Sequence, residues 1–454
     1  MGSIVGGQKT GPLASQELSA YNTSTHYIES NLGGYGLYYR TVMAELGLII
    51  PAVPGVDLPV DLPTEFGREI AQAYRTAIKE TAYYEKYFNQ NNVDVPIDVI
   101  REYIRHACLC QLKVNRAPDR AYLLDTFLHR GRSGESAARR ATFQLFLDIA
   151  DQTQELAISE DQFRQLIYYQ KTLDGITYNP RESVQDAYLR WRLYQAREYY
   201  SFSLNSLWYY LCDWGVQQGG EIQPVQINKF WDHLTEALSL KKLALRFGVP
   251  DPSLKAGSGF RDLMNWLENV SVQNGRKYLA PYDINTPLHE HHLYRLALED
   301  HNSPEVMVAG MVVILALIAL RFSDTELWLR PEWEISRMGA NGRLSVDRYL
   351  KDLQRLMQSG PVTIKEIAQW IYSEYIILQH QVVATSKLPD NTIRFQRQGD
   401  RLRFYSLPNS LGFMNSRFDS ISTTIYELGL CGDLVSPGHA LADDGRRLLE
   451  QGDL

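Results

Sequence analysis

Apolar side chains recur every three or four residues through most of this chain. The spacing is clear in FRQLIYYQKTL (residues 163–173), LRWRLYQAREYYSFSLNSLWYYLCDW (189–214) and FWDHLTEALSLKKLALRF (230–247). Such spacing places the apolar side chains on one face of an α-helix. The long alternation that predicts strands is almost absent. The pattern therefore predicts a mainly α protein, built as a multi-helical array.

One stretch is apolar on every side. Residues 306–320 read VMVAGMVVILALIAL, between Glu305 and Arg321. A helix needs roughly 20 apolar residues to cross a bilayer, and this run is shorter. We therefore expect a helix that is buried on all sides in a helical core. Membrane contact by this helix is the alternative.

The phrase Glu-Leu-Gly-Leu occurs near both ends of the chain, in TVMAELGLII (residues 41–50) and in TIYELGLCGD (424–433). Gly47 and Gly429 are expected to end a helix in the left-handed conformation, so that a short extended segment follows. In both copies a loop and a second helix come next, in LPTEFGREIAQAYRTAI (62–78) and HALADDGRRLLEQG (439–452). This order predicts winged-helix-like units at both ends.

One small β-hairpin is predicted just before the second copy of the phrase. The segment TIRFQRQGDRLRFYSL (residues 392–407) alternates apolar and polar positions and turns at Gln398–Asp400. Its apolar face is expected to hold Ile393, Phe395, Leu402 and Phe404. The hairpin follows a long helical stretch, as a wing follows a recognition helix.

Clusters of Gly, Pro, Asn and Ser divide the chain. They predict a flexible tail at residues 1–30, an N-terminal winged-helix-like unit at 31–92 and a helical domain at 93–345. A C-terminal winged-helix-like domain that carries the hairpin is predicted at 346–454.

The charge balance limits the possible partners. The net charge of −7 gives no whole-molecule attraction to nucleic acid or to an anionic membrane, so any such contact must come from a local patch. The basic residues are 33 Arg against 13 Lys, and Arg favours bidentate pairing with phosphates or carboxylates. We expect the partner to be nucleic acid, as duplex DNA, or the proteins of a multi-subunit complex, and we expect no membrane.

Two groups of arginines are candidates for binding nucleic acid. The hairpin carries Arg394, Arg397, Arg401 and Arg403, and a β-ribbon with several guanidiniums can hold phosphates. A Gly-Ser loop carries Arg130 and Arg132, and such a loop can close on a phosphate. The alternative is that these arginines are solvated or are paired with acids nearby.

Catalytic signatures are weak. His289 and His292 lie three residues apart and could begin a metal site, but a solvated helix start is the favoured interpretation. Arg101 and His106 have the R-x4-H spacing of a class of helical ribonucleases, at a frequency that chance explains. No P-loop, GxGxxG, GxSxG or paired CxxC motif is present. The catalytic residues are therefore unknown, and neither a metal site nor a cofactor is predicted.

Four cysteines are too few for a disulfide framework and fit a reducing cytoplasm. Cys108 and Cys110 are separated by one residue and would point about 200° apart on a helix. We therefore expect two separate thiols at these positions.

The start of the chain resembles a known group of proteins. The segments NLGGYGLYYRTVMAELGLI, PTEFGREIAQAYRTAI, TAYYEKYF and ACLCQL, together with the arginine hairpin, are similar to long helical uncharacterised bacterial proteins associated with restriction and phage-defence gene clusters. The resemblance covers about the first 150 residues and brings no catalytic motif. It implies a non-catalytic, DNA-associated or complex-forming component of a genome-defence or genome-maintenance system. A nuclease with an unrecognised site and a pure protein-protein scaffold are the alternatives.

Overall fold

The structure, a computed structural model, is mostly helical, which confirms the predicted mainly α class. It describes residues 20–22, 34–52, 60–90, 92–115, 117–131, 135–271, 284, 286–322, 344–387, 392–407, 411, 414 and 416–454. By its internal contacts the chain divides into two compact units. One unit combines Met1–Ile158 with Asp419–Leu454, and the other is the continuous segment Ser159–Phe418.

The unit Ser159–Phe418 is a helical array around a single large core. Its longest helix, Gln185–Gln217, has 33 residues and is about 50 Å long at 1.5 Å per residue. The other α-helices are Glu160–Tyr169, Ile227–Ala237, Leu240–Phe247, Phe260–Ser271, Glu290–Glu299, Met311–Phe322, Val346–Gln358, Ile364–Trp370 and Leu378–Ser386. A three-stranded antiparallel sheet joins Val225–Gln226, Arg401–Phe404 and Phe395–Gln398, in that order.

The predicted apolar helix lies in the middle of this core. It begins as a π-helical turn, Glu305–Gly310, and continues as the α-helix Met311–Phe322. Every residue from 306 to 322 is buried. By length and composition the segment Glu305–Phe322 could span a membrane, but 94% of it is buried inside the protein, as in the core helix of a soluble protein. The expectation of a helix buried on all sides is confirmed.

The second unit combines the two ends of the chain. Its helices are Arg40–Glu45, Glu65–Ile78, Ala82–Lys86, Ile97–Ala107, Leu112–Asn115, Pro118–His129, Glu135–Gln152 and Asp443–Gln451, and the helix Phe418–Glu427 crosses the boundary between the units. Two small antiparallel sheets pair Ala20–Asn22 with Asp94–Pro96 and Ile49–Ile50 with Leu62–Pro63. The strand Ala20–Asn22 falls within the predicted tail, of which the remaining residues lie outside the described part of the chain.

The repeated phrase forms the same turn at both of its positions. Gly47 has φ +74° and Gly429 has φ +69°, so both take the left-handed conformation that was predicted. In each copy the amide of the following leucine donates to the carbonyl five residues earlier, at 2.8 Å for Leu48 and 2.9 Å for Leu430. This hydrogen bond is the long bond of a Schellman helix end.

The chain then returns in the same way in both copies. The amide of Thr64 donates to the carbonyl of Leu48 at 3.0 Å, and the amide of Ala442 donates to the carbonyl of Leu430 at 3.0 Å. Both acceptors directly follow the left-handed glycine, and both donors cap the returning helix. The two segments are therefore an internal structural repeat, and both copies belong to the same unit.

A glycine in each returning helix makes this close approach possible. A Cβ at Gly67 would overlap the carbonyl oxygen of Leu48, and a Cβ at Gly445 would overlap the carbonyl oxygen of Leu430. Each glycine comes three residues after the residue that caps its helix. The leucine after each left-handed glycine can therefore lie directly against the backbone of the returning helix.

Winged-helix units are not confirmed at either end. By its contacts the hairpin belongs to the unit Ser159–Phe418, whereas the second copy of the repeat lies in the other unit. The division at Ile158 and Phe418 also differs from the predicted edges near residues 92 and 345. The pattern of a helix, a turn and a returning helix was detectable locally, but which segments pack together depends on contacts that are distant in sequence.

The expectation of two separate thiols at Cys108 and Cys110 is wrong, because the structure joins them in a disulfide. The prediction assumed that both residues lie on a helix. The helix Ile97–Ala107 ends just before them, Cys108 is extended, and a 3₁₀ turn follows at Leu109–Gln111. Off the helix, the two side chains need not point apart.

Replacing Ile314 by Asp tests the burial of the apolar helix. Ile314 is 0% exposed, and a buried carboxylate without a partner costs several kcal/mol, which is comparable to total stability. We expect Ile314→Asp to abolish soluble expression. The control is Leu245→Asp, since Leu245 is 81% exposed, and this variant should stay soluble with unchanged circular dichroism. Normal solubility of Ile314→Asp would contradict the described core.

A Gly445→Ala substitution tests the packing of the repeat. Alanine normally stabilises a helix by about 1 kcal/mol relative to glycine, but here its Cβ would meet a backbone oxygen that cannot easily move. We expect a lower melting temperature, and the same result for Gly67→Ala. A Cβ at Gly257 meets no atom within 4 Å, so Gly257→Ala should leave the melting temperature nearly unchanged. Stabilisation by either helical substitution would rule out the close approach.

Candidate nucleic-acid interface

The arginine hairpin is confirmed as a pair of antiparallel strands, and its second strand is the middle strand of the three-stranded sheet. Strand Phe395–Gln398 pairs with strand Arg401–Phe404, and Gly399 in the turn has φ +65°. Phe395 lies opposite Phe404, and Gln398 lies opposite Arg401. In this register alternate residues point to opposite faces of the ribbon, so one face can pack while the other stays in water.

The base of the hairpin is held firmly in its unit. Phe395, Leu402 and Phe404 are buried, each at 1% exposure or less. The amide of Phe404 donates to the carbonyl of Gly220 at 3.1 Å, and the amide of Arg394 donates to Nε2 of His380 at 3.0 Å. The third strand pairs beside the turn, where Gln226 lies opposite Arg401 and the amide of Ile227 donates to the carbonyl of Asp400 at 2.9 Å, so the hairpin is held at both ends.

Three of the four hairpin arginines are exposed. Arg401 and Arg403 share one face of the ribbon, opposite Gln398 and Gln396 respectively. Arg397 lies opposite Leu402, on the other face of the hairpin, and donates from Nε to the carbonyl of Gly399 at 2.9 Å. Within the described part of the chain, no carboxylate lies within 4.0 Å of these three guanidiniums. Their charge is therefore available to an external anion.

The fourth hairpin arginine is placed differently. Arg394 is half-buried and lines a cavity together with Trp208 and His380. Partial burial lowers the pKa of the half-buried His380, and the guanidinium of Arg394 on the same lining lowers it further. The predicted set of four arginines thus divides into three on the exposed ribbon and one at its base.

Of the two predicted loop arginines, Arg130 is among the described residues. Arg130 forms an ion pair with Asp125, at 2.7 Å from Nε to Oδ2, and its guanidinium lies 4.2 Å from the ring centroid of Phe66. Its partners are therefore within its own unit. Arg132 lies outside the described residues.

The expectation of a solvated helix start at the histidine cluster is wrong. The helix Glu290–Glu299 does begin there, and His289 caps it by accepting the amide of His292 at 3.3 Å. His289, Glu290 and His291 are nevertheless buried, at 1% exposure or less. The polar residues at this helix start face the protein interior because a buried arginine, Arg321, pairs with Glu290 there.

A buried ion pair is the centre of this cluster. Nε of Arg321 lies 2.6 Å from Oε1 of Glu290, at the end of the apolar helix. The hydroxyls of Tyr168 and Tyr169 donate to the two carboxylate oxygens at 3.0 and 3.1 Å. Burial, together with the charge of Glu290, raises the pKa of Tyr169 well above its usual value, so this phenol keeps its proton.

His291 extends the network towards the surface. Oε1 of Gln165 accepts the amide of Leu173 at 2.8 Å, so the amide nitrogen of Gln165 faces Nε2 of His291 at 3.2 Å. Nδ1 of the same ring lies 3.1 Å from the hydroxyl of Tyr199. Nε2 also lies 3.3 Å from Oδ2 of the partly exposed Asp161. Every one of these contacts is internal, which fits a structural role.

The other candidates for chemistry do not converge on a site. Arg101 and His106 are both exposed on the helix Ile97–Ala107, and Arg101 pairs with Asp98 at 3.1 Å. A spacing of five residues puts the two side chains about 140° apart around the helix, because each residue adds 100°. Among the residues that the structure describes, no group of three or more His, Cys, Asp or Glu could hold a metal ion.

Two features of the unit Ser159–Phe418 were not predicted from the sequence. The first is the Glu290–Arg321 pair, for which the only signal was an arginine that directly follows an apolar run. The second is the aromatic contact of Trp208 with His380, with ring centroids 5.5 Å apart, which carries no sequence signal. Both join residues more than 30 positions apart.

No family model, curated protein or solved structure matches this chain. The resemblance to bacterial defence-associated proteins therefore stays an expectation.

Removing one partner of the buried ion pair should destabilise the unit strongly. Arg321→Met leaves the Glu290 carboxylate buried without its cation, and such changes cost about 3–5 kcal/mol. The double variant Arg321→Met with Glu290→Gln removes both charges and should be destabilised less. Urea unfolding at neutral pH, followed by circular dichroism, measures the difference.

Arg355→Met serves as the control, because Arg355 pairs with Asp352 on the surface and should contribute little. If Arg321→Met and the double variant were equally stable, the unpaired Glu290 carboxylate would carry no stability cost, which would contradict the prediction.

Proposed function

We propose that this protein binds duplex DNA non-catalytically through the arginine hairpin. The observation that carries the proposal is the set of three exposed guanidiniums, Arg397, Arg401 and Arg403, on an anchored hairpin with no carboxylate within 4.0 Å of them in the described part of the chain. Guanidiniums hold phosphates in a bidentate geometry, and such phosphate contacts position a protein on DNA.

The charge of the whole protein makes a local patch necessary. With a net charge of −7, the protein as a whole is repelled by a polyanion, so binding requires local positive charge that is not neutralised. On the hairpin only Asp400 offsets the arginines. The amides of Gln396 and Gln398, on the same face as Arg401 and Arg403, can add hydrogen bonds to phosphate or to base edges.

Some other exposed arginines are paired with neighbouring acids. Arg101, Arg355 and Arg447 each have a carboxylate within 4.0 Å, one turn away on the same helix. Their charges are partly neutralised by these neighbours. Arg68, Arg75, Arg261 and Arg446 are also exposed and have no carboxylate within 4.0 Å among the described residues. What supports the hairpin as the DNA contact is that three such guanidiniums lie on one hairpin.

The biological setting follows from the resemblance of the chain's first 150 residues. We propose that the protein is a component of a bacterial genome-defence or genome-maintenance system and acts in the cytoplasm, where the DNA is. A nuclease activity gains no support from the geometry, because the histidine cluster is buried and the R-x4-H pair points apart.

Binding to a partner protein is a second proposed function, and a separate surface favours it. The start of the unit that contains both chain ends exposes apolar side chains at 42–55% for Tyr38, Tyr39, Val42 and Ile50. The helix Arg40–Glu45 buries no residue within the protein. Exposed apolar side chains this close together are typical of protein-protein contacts.

Replacing Arg397, Arg401 and Arg403 together by Ala tests the DNA proposal. In a plot of log affinity against log salt concentration, each phosphate contact contributes about −0.9 to the slope. We therefore expect the slope of the triple variant to be shallower by about 2 to 3, and its affinity for DNA to drop markedly. The measurement is fluorescence anisotropy with a labelled duplex, between about 50 and about 200 mM salt. The melting temperature should change little, because exposed arginines contribute little to folding.

The control is the triple variant Arg101→Ala, Arg355→Ala, Arg447→Ala, which changes the net charge equally but removes paired arginines. It should keep the salt slope of the original protein. Equal weakening in the two triple variants would assign binding to overall charge and not to the hairpin. No binding by the original protein at low salt would leave the partner-protein function in its place.

A further inference from the structure

A cavity of about 330 Å³ lies at the base of the hairpin, within the unit Ser159–Phe418. One wall is the long helix Gln185–Gln217, and another is the segment 375–387, which includes the helix Leu378–Ser386. Thr392 and Arg394, which lead into the first hairpin strand, close a third side. The volume lies at the lower end of the range for small-molecule sites, which runs from about 300 to 1,000 Å³.

Most of the lining is apolar or aromatic. Leu204, Leu344, Ile376, Val383 and Ala384 contribute aliphatic surface. The rings of Trp208 and His380 lie 5.5 Å apart at 40° to each other on the same lining. A flat apolar body can pack against such a surface, where it gains both from leaving water and from contact with the rings.

His380 takes part in this surface as an uncharged ring. Its Nε2 accepts the amide of Arg394 at 3.0 Å, so that nitrogen carries no proton and Nδ1 does. Burial, with a further contribution from the charge of Arg394, lowers the pKa of His380 to about 4. At neutral pH the ring therefore acts as an aromatic wall with one N–H donor, and the positive charge of the cavity must come from other groups.

Two cations supply that charge. Arg394 and Lys387 both line the cavity, one at the entry to the hairpin and the other just after the end of the helix Leu378–Ser386. No Asp or Glu is among the described residues of the lining. Asn205, Gln379 and Thr392 add neutral polar groups. The cavity thus combines an apolar, aromatic interior with two positively charged side chains.

We propose that this cavity binds a small organic anion with a flat apolar body, such as an aryl carboxylate or an aryl sulfonate. The ring system packs on Trp208 and His380, and the anionic group meets Arg394 and Lys387. Carboxylate and sulfonate groups match a guanidinium in charge and in hydrogen-bond geometry. The site uses none of the three exposed hairpin arginines, so it stands independently of the DNA proposal.

The test uses two dyes that differ in charge. The anionic probe is 8-anilinonaphthalene-1-sulfonate, and the neutral probe is N-phenyl-1-naphthylamine, which has the same rings without the sulfonate. Both fluoresce more strongly in apolar surroundings. We expect one molecule of the sulfonate to bind per chain, and about tenfold more tightly than the neutral dye, because a charged group adds hydrogen bonds to the two cations.

Variants locate the binding. Arg394→Gln should weaken the sulfonate about tenfold and leave the neutral dye nearly unchanged. Lys387→Gln changes an exposed residue at a helix end and should also weaken sulfonate binding, so it replaces Arg394→Gln in the test if that variant does not fold. Asn205→Trp places a large side chain on the lining from an exposed position and should block both dyes. Arg355→Gln, outside the cavity, should change nothing.

The melting temperature of each variant must be checked, because the sulfonate also binds partly unfolded protein. Equal affinity for the two dyes would overturn the assignment of an anion site. Sulfonate binding that survives both Asn205→Trp and Lys387→Gln would place the dye elsewhere and overturn the proposal. Failure of DNA binding has no bearing on either result.

Discussion

The unit Ser159–Phe418 depends on one constraint, which is that a helix apolar on all sides must be covered on all sides. The segment 306–322 is buried throughout, so helices must surround it completely. The long helix Gln185–Gln217 and the helices Phe260–Ser271 and Glu290–Glu299 all contact it. One long helix and several shorter ones meet this requirement, and the rest of the unit is arranged around them.

The same constraint explains the buried charges. The apolar helix ends at Arg321 and Phe322 while still inside the protein, so the guanidinium of Arg321 has no access to water. Glu290 balances it, and two tyrosines satisfy the carboxylate oxygens. Because a buried pair costs desolvation of both ions, its value to the protein is less in stability than in defining one arrangement of these helices.

Much of the fold could be predicted from local patterns. The helical class, the buried apolar helix, the hairpin and the left-handed turns at Gly47 and Gly429 all follow from spacing between residues that are close in sequence. The burial of His289 and Glu290 could not be predicted, because three polar residues at a helix start normally indicate solvent, and the compensating Arg321 is distant in sequence. Likewise, alternation placed Arg394 with the exposed arginines, but the cavity that contains it is formed by residues from other helices. Local periodicity does not specify which helices become neighbours.

The chain segments that form each unit determine which unit can fold first during synthesis. The segment Ser159–Phe418 is continuous, so all of its residues are made before Asp419–Leu454. The other unit needs Asp419–Leu454 as well as Met1–Ile158, and Arg120, in the N-terminal part, donates to the carbonyl of Leu428 and pairs with Asp444. Its first 158 residues must wait through the translation of the whole intervening unit, which takes roughly tens of seconds at about 5–20 residues per second. During that interval the surfaces of the helices Pro118–His129 and Glu135–Gln152 that later contact Asp419–Leu454 are without their partners. The nascent chain is therefore open to chaperones or to a binding partner for a period that the chain's own connectivity determines.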